Sequence, residues 1–228
     1  ENNLNIEETF LFNSKNVYIT FKKLNDYLAL IVSIFPILYG ISEYKFTDMS
    51  VYIICALVIY SPYYLKRKFK IVILEECKLI TTIHIGLHTI LGKAFHFYEI
   101  YPLFDSILHV LGGMWLFLLL FSIIYSIELH FTKLGKNKID LKATIITFFT
   151  VNTLGVMWEI FEFVADLIFA GTPGYNLAQE GSLFDTMTDL IENNVGAFLA
   201  CFIFWKIVSI QKRKGRDISQ LFRDVLPF

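Results

Sequence analysis

Acidic and histidine side chains recur at three- and four-residue steps inside segments of this chain that are otherwise apolar. Such steps place each group of side chains on one face of a helix. Carboxylates and imidazoles together suit Zn, Mn or Fe(II), so the pattern indicates a metal site built from several helices. The four groups are His84 and His88; Asp105 and His109; Glu159, Glu162 and Asp166; and Asp185, Asp189 and Glu192.

The composition indicates that the helices carrying these groups cross a membrane. Of the 228 residues, 55% are hydrophobic, only 18% are charged and 23 are Phe, and the mean hydropathy is +0.55. Soluble domains have about 25% charged residues. The net charge of -1 gives no reason to expect nucleic acid as a partner. Cys55, Cys77 and Cys201 have no CxxC spacing, so we interpret them as packing residues.

Apolar runs of membrane-spanning length divide the chain into about six segments. These are residues 24–41, 49–65, 71–92, 102–127, 139–168 and 186–208. The third and sixth are less apolar than the others, but the basic residues support the count. Alternate connections carry 17 Lys and Arg against 2 in the others, so the positive-inside rule predicts that both termini are cytoplasmic. The predicted fold is an all-α polytopic helical bundle in a plasma or inner membrane.

Three regions are predicted along the chain: a cytoplasmic N-terminal segment (1–23), a six-helix transmembrane domain (24–208) and a basic cytoplasmic tail (209–228). No signal-peptide pattern opens the chain, and we expect a missing upstream segment because it starts at Glu1 rather than Met. The tail fits either a short amphipathic helix on an anionic leaflet or a solvated basic segment. Its apolar residues at helical spacing are Ile218, Leu221, Phe222 and Val225.

With this orientation, all four groups place their ionisable side chains in the outer half of the membrane. Small residues share their faces and would let the helices approach closely, so the groups are predicted to face one another. The first and second helices lack ionisable stripes of this kind, apart from Glu43 and Asp48 at their outer connection, and are expected to face lipid. Glu75 and Glu76 are interpreted as inner-surface residues. The small residues are Gly92, Gly112, Gly155, Gly196 and Ala200.

Charge balance favours a cation among the converging side chains. The groups contain seven carboxylates and three histidines, and no Lys or Arg. A carboxylate left unpaired at mid-membrane costs about 2.5–3.5 kcal/mol, so several together would strongly destabilise the bundle. One or two divalent cations (Zn, Mn or Fe) would neutralise the set. A network of acids that share protons is the alternative.

The assignment divides the acidic and histidine residues between two roles. Simpler roles stay open: His84 and His88 could hydrogen-bond within a helix interface, and Asp185 could cap the sixth helix. Asp166 could lie in water, and Glu192 could hydrogen-bond to a neighbouring Asn. Glu192 or Asp166 is the candidate general base. The predicted metal ligands are His88, Asp105, His109, Glu159, Glu162, Asp185 and Asp189.

Three ordered motifs within residues 80–200 resemble a known family. They are Phe104-Asp105-Ser106-Ile-Leu-His109 followed by Gly112, Gly155-Val-Met-Trp-Glu159-Ile-Phe-Glu162, and Asp185-Thr186-Met-Thr-Asp189 with Gly196-Ala197. They resemble the YjdF-like group of uncharacterised bacterial inner-membrane proteins, which has Tyr-Asp-Arg-x-x-His, Glu-x-x-Glu and Asp-Thr-x-x-Asp motifs in this order. This chain departs from that pattern at Ser106 for Arg, Phe184 for Trp, and Glu180-Gly181 for Gly-Asp. The resemblance supports the fold and the residue set and implies no reaction.

The distribution of polar residues favours an enzyme over a conduit. Residues 114–125 and 198–205 offer little that could coordinate an ion, so the predicted site opens only toward the outer side. We therefore expect a metal-dependent membrane hydrolase or transferase that acts on a lipid or small amphipathic substrate. This substrate would enter beneath the connection 171–184, which would act as a lid. The alternatives are a divalent-metal or proton-coupled transporter and a non-catalytic membrane subunit.

Overall fold

The computed structural model describes residues 15–131, 136–172, 175, 177–179, 181–213, 222 and 225–226. This part of the chain is helical and contains no strand. Its helices are α1 (Lys15–Ser42), α2 (Phe46–Phe69), α3 (Glu75–Gly86), α4 (Phe97–Ile100), α5 (Phe104–Phe131), α6 (Lys136–Phe169) and α7 (Leu183–Arg213), with a π-helix (Leu87–Ala94) between α3 and α4.

Five of the helices are long and apolar enough to cross a membrane, namely α1, α2, α5, α6 and α7. The all-α polytopic bundle predicted from the sequence is therefore confirmed. The first helix begins at Lys15 and so extends into the predicted N-terminal segment 1–23. The boundaries of the three predicted regions stay predictions.

The third predicted span differs from the other five. It begins with the 12-residue α3 and continues as the eight-residue π-helix. The Phe95 N–H donates to the Ile90 carbonyl at 2.9 Å, the five-residue step of a π-helix. Because α3 also opens with Glu75, Glu76 and Lys78, this segment is not among the five helices that meet the length and hydropathy of a span.

The bundle has two ends of different composition. At the end we call acidic, α6 ends and α5 and α7 begin, with Asp105 and Asp185 in the first turns of the latter two. At the opposite end, which we call basic, aromatic rings fill the space between α5 and α7. The Phe121 ring centroid lies 4.2 Å from that of Phe204, and both Phe117 and Phe121 are buried. The interior at the basic end is therefore apolar.

Residues from the C-terminal segment complete this apolar core. Phe222 and Val225 are buried, and the Phe222 ring centroid lies 5.1 Å from that of Tyr125. The Val72 N–H donates to the Val225 carbonyl at 2.8 Å. These contacts cover the basic end of the bundle. Ile218 and Leu221, which with Phe222 and Val225 form the predicted amphipathic face, lie outside the described residues, so the membrane-surface helix stays a prediction.

Glycines allow α5 and α7 to cross at very short range. A Cβ added at Gly113 would overlap the Asn193 carbonyl oxygen, and one added at Gly196 would overlap the Val110 carbonyl oxygen. Each helix thus offers a glycine where the other presents backbone. The close approach predicted at Gly196 is therefore found, and it fixes how the polar faces of α5 and α7 meet.

The expectation that the first two helices only face lipid is wrong at the basic end. Asn25 of α1 is buried, and its Nδ2 donates to Glu75 Oε2 at 3.2 Å. Glu75 is fully buried rather than on the inner surface, because Lys78 Nζ donates to its Oε1 at 2.7 Å. On α2, the Tyr63 hydroxyl donates to Asp26 Oδ1 at 2.7 Å. Buried contacts of Glu75 therefore join α1 to α3, and the Tyr63–Asp26 hydrogen bond joins α2 to α1.

Candidate metal centre

Two carboxylates and one imidazole converge where α5 meets α7 at the acidic end. Asp105 and His109 lie one turn apart on α5, and Asp189 lies on α7. His109 Nε2 is 3.7 Å from Asp105 Oδ1 and 3.6 Å from Asp189 Oδ2. One ligand atom from each residue lies within 4.8 Å of the other two. The side chains of His109 and Asp189 are only 11% and 5% exposed, whereas that of Asp105 is 35% exposed, so the group is open to its surroundings on the Asp105 side.

The distances match the first requirement of a cation site. Zinc bonds to nitrogen and oxygen ligands at about 2.0–2.2 Å, so neighbouring ligands of a tetrahedral ion lie about 3.4 Å apart. The two distances from His109 Nε2 exceed this by only a few tenths of an ångström. Small side-chain rotations would therefore let Asp105, His109 and Asp189 bind one ion.

The remaining predicted ligands lie near this group but outside it. Glu159 on α6 is buried, and both of its carboxylate oxygens have no hydrogen-bond partner among the described residues. It interacts electrostatically with Asp105 and Asp185. Glu162 interacts electrostatically with Glu159, Asp105 and Asp189. Acids of three helices therefore interact with one another, and three of the seven predicted ligands have ligand atoms within 4.8 Å of one another.

His88 makes a different contact from the one predicted. Its Nδ1 lies 2.5 Å from the Tyr98 hydroxyl, and the two rings meet edge to face. Tyr98 packs against Gly92 of the π-helix, where any Cβ would overlap its ring. The sequence pattern missed Tyr98 because it lies in the short connection before α5, outside the helical stripes.

His84 packs within the interface of α3 and α5. Its ring stacks on Trp115 with the centroids 5.0 Å apart, and Trp115 Nε1 donates to the Thr81 hydroxyl at 2.6 Å. This matches the simpler interface role left open for the two histidines. No other described residue hydrogen-bonds to His84 Nδ1, which is buried.

Asp166, one of two candidate bases, holds the connection between α6 and α7. Its Oδ1 accepts hydrogen bonds from the Tyr175 hydroxyl at 2.9 Å and the Ala178 N–H at 2.7 Å, and its Oδ2 accepts one from the Gln179 N–H at 3.0 Å. Burial, and then the hydrogen bond to Asp166, raise the pKa of Tyr175 above its ordinary value. Gln179 Nε2 in turn donates to the Glu159 carbonyl at 3.3 Å. These hydrogen bonds therefore fix the α6–α7 connection next to Glu159.

Two further predictions concern the start and the middle of α7. Asp185 does not cap this helix: α7 begins at Leu183, and the Ser182 hydroxyl accepts from the Phe184 N–H at 3.1 Å. Glu192, the other candidate base, interacts electrostatically with His109 and Asp189. Its Oε2 is buried without a hydrogen-bond partner among the described residues, so Glu192 keeps an acceptor that can take a proton.

Asn193 is a member of the site that the sequence analysis did not select. Its Nδ2 lies 3.2 Å from His109 Nδ1, on the opposite side of the ring from Asp105 and Asp189. The signal was present, since Asn193 lies one turn after Asp189 on the same stripe. The charge count included only ionisable side chains, so it did not select the uncharged Asn193.

Comparisons with known proteins agree with a membrane bundle. A family model described as "Predicted membrane protein (DUF2238)" matches residues 24–209. An uncharacterised protein of Thermotoga maritima is 33% identical over 196 residues, which cover 86% of this chain and 93% of that protein. No solved structure matches. These matches agree with the expected uncharacterised membrane family and a multi-pass membrane location, whereas the narrower YjdF-like assignment stays a resemblance.

Proposed function

The chain belongs to the DUF2238 family of predicted membrane proteins, and we propose that it is a metal-dependent membrane enzyme. In this proposal Asp105, His109 and Asp189 hold one divalent cation. The observation that carries the proposal is the convergence of these three ligand atoms within 4.8 Å, beside the buried and unpartnered carboxylate of Glu159.

The donor set narrows the identity of the cation. Two carboxylates with one imidazole suit Zn, Mn or Fe(II) better than the softer metals that prefer thiolates. Glu159 and Glu162 interact electrostatically with Asp105 and so add negative charge near the same ion. The three converging ligand atoms make one ion the simplest assignment.

A bound cation would lower the pKa of a water molecule or polarise a phosphoryl or carbonyl oxygen of the substrate. The chain must then supply a proton acceptor close by. Glu192 is the better of the two candidates, because Asp166 already accepts three hydrogen bonds from the α6–α7 connection. Glu192 interacts with His109 and Asp189 and retains a buried acceptor oxygen.

The closed basic end supports an enzyme over a conduit. Below the site, Phe117, Phe121 and Phe204 fill the space between α5 and α7, and Phe222 adds to them. Such a core offers no ligand to a passing ion. The substrate, a lipid or a small amphipathic molecule, would therefore reach the ion from the acidic end, beneath the connection that Asp166 holds.

A transporter is the second candidate, and one observation favours it. The buried Glu75–Lys78 pair, at 2.7 Å, places ionisable groups at the basic end. Asn25 and Lys22 also contact Glu75, and Lys22 pairs with Asp26 at 3.5 Å, so two lysines and two carboxylates balance one another in this network. A balanced network attracts a cation less than the acids at the other end do, and we rank this candidate below the enzyme.

Elemental analysis of the detergent-purified full-length chain tests the proposal. We expect one equivalent of a transition metal after chelator-free purification, and its loss in Asp105→Asn and in Asp189→Asn. Glu43→Gln, which removes an exposed acid between α1 and α2, is the control and should retain the metal. A metal-free wild-type protein that also binds no added Zn²⁺ or Mn²⁺ would overturn the proposal.

Reconstituted vesicles separate the two candidates. For an enzyme that only uses the cation, the metal content of the vesicle lumen should not depend on the protein. Uptake of Zn²⁺ or Mn²⁺ that requires the protein and is lost in Asp189→Asn would favour the transporter instead.

A further inference from the structure

Asn193 lies behind the imidazole of the proposed site. It is on α7, one turn beyond Asp189, and is only 7% exposed. Its Nδ2 approaches His109 Nδ1 at 3.2 Å, while His109 Nε2 faces Asp105 and Asp189 at 3.7 Å and 3.6 Å. The two nitrogens of one ring thus face two different partners, an amide and a pair of carboxylates.

Glycines on two neighbouring helices leave the space that Asn193 occupies. A Cβ at Gly155 of α6 would lie 3.4 Å from Asn193 Nδ2, and one at Gly112 of α5 would lie 3.8 Å from its Oδ1. A Cβ at Gly113 would overlap the Asn193 backbone. The amide is therefore enclosed by α5 and α6 at the depth of His109, which keeps the end of the side chain beside the ring.

The protonation of the imidazole determines which group can hydrogen-bond to its Nδ1. An imidazole that binds a cation through Nε2 carries its proton on Nδ1, and that proton needs an acceptor. An Asn side chain offers both an oxygen and a nitrogen at its end, and rotation of the amide by half a turn exchanges them. Asn193 can therefore accept from Nδ1–H through Oδ1 when a cation is bound.

An uncharged acceptor suits this particular site. Many metal-bound histidines donate to a carboxylate, which adds negative charge behind the ring. Here Asp105 and Asp189 face His109 and Glu192 interacts with it electrostatically, so a further acid would increase the repulsion among them. An amide orients the ring without adding charge.

We propose that Asn193 is the positioning residue of the cation site. Its side chain holds the His109 ring so that Nε2 faces Asp105 and Asp189. The proposal rests on the proposed function, because it assumes that a cation binds there. Loss of an outer partner of this kind lowers metal affinity by about 10–100-fold. We expect a decrease of that size when the amide oxygen is removed.

Titration of the metal-free, detergent-purified full-length chain with Zn²⁺ by calorimetry tests this role. Asn193→Leu keeps the volume but removes the acceptor, and should weaken Zn²⁺ binding by about 10–100-fold. Asn193→Asp keeps an acceptor oxygen and should bind Zn²⁺ at least ten times more tightly than Asn193→Leu. Asn194→Ala is the matched control, because Asn194 is exposed and its Nδ2 donates to the Leu190 carbonyl at 2.8 Å.

A second measurement separates positioning from a purely structural role. The ligand-field absorption of bound Co²⁺ should differ between wild type and Asn193→Leu and return toward the wild-type spectrum in Asn193→Asp. If wild type binds Zn²⁺ and Asn193→Leu binds it equally well, the role of Asn193 is refuted and the proposed function stands. If wild type itself binds neither ion, the proposed function fails first. Equal weakening in Asn193→Leu and Asn193→Asp would also refute the role.

Discussion

His109 Nε2 lies 3.6 Å from Asp189 Oδ2 across the contact between α5 and α7. The two helices meet this closely because Gly113 and Gly196 leave no side chain between the backbones. The pair is therefore held by the main chains of two helices rather than by a loop. A site built this way is arranged in advance of any ligand, which lowers the cost of binding.

Glu159→Gln should have opposite effects on the metal-free and the metal-bound protein. The substitution removes a buried charge that has no hydrogen-bond partner among the described residues, so the metal-free variant should be more stable than wild type. Each kcal/mol of added stability raises the unfolding temperature by about 2–4 °C, so we expect an increase of a few degrees. With Zn²⁺ present, the variant should gain less stability than wild type, since a favourable charge has been lost. Thermal unfolding at pH 8 with and without Zn²⁺ measures both effects. A metal-free variant less stable than wild type would contradict this expectation, and Glu43→Gln serves as the control.

Asp166→Asn should loosen the α6–α7 connection without removing the cation ligands. The Ala178 N–H donates to one carboxylate oxygen and the Gln179 N–H to the other, and the new amide keeps one acceptor oxygen while its NH2 group replaces the other. We expect faster hydrogen exchange at one of these two N–H groups, the one that then faces the NH2 group, and an unchanged metal content. Unchanged exchange at Ala178 and Gln179 would show that Asp166 does not hold the connection.

The same variant should change the titration of Tyr175. Burial and the carboxylate of Asp166 together raise the pKa of this phenol, so removal of the charge should lower the pKa part of the way toward about 10. The remaining difference reflects burial, the larger cause. Ultraviolet absorbance of tyrosinate against pH, with Tyr175→Phe to identify the transition, measures the change. A pKa of Tyr175 that stays the same or rises would contradict the assignment.

The two single substitutions in the Glu75–Lys78 pair should have costs in stability that sum to more than the cost of the double substitution. Glu75→Gln leaves the buried Lys78 without its carboxylate partner and should cost about 3–5 kcal/mol, whereas Lys78→Met should cost less, because Glu75 keeps its contacts with Lys22 and Asn25. The double variant removes both charges and should cost less than the sum. Unfolding by denaturant in detergent measures the cycle, and Lys66→Gln on α2 is the control. Additive costs would mean that the two side chains do not interact.

The residues of the candidate site could be selected from the sequence because helical periodicity is local. Asp105 and His109 share a face of α5 for the same reason that Asp189 and Glu192 share a face of α7. The charge count then predicted that such faces meet. Spacing could not give the distances between these faces, so it could not single out Asp105, His109 and Asp189 as the three whose ligand atoms lie within 4.8 Å of one another.

The features that the sequence did not reveal depend on irregular segments or on neutral side chains. Tyr98 contacts His88 from a four-residue helix in a connection, where no periodicity exists. Asp166 bonds to the connection that follows α6, and those partners are mostly backbone N–H groups, which no side-chain pattern encodes. Glu75 was read as a surface acid because its partner Asn25 lies fifty residues away on α1.

The burial of Phe222 against Phe121 and Tyr125 bears on the order in which the molecule is made. Translation delivers α5 before residue 222, so the contacts of Phe222 with Phe121 and Tyr125 can form only after α6 and α7 have been synthesised. The covering of these rings by Phe222 is therefore a late step in the assembly of the bundle.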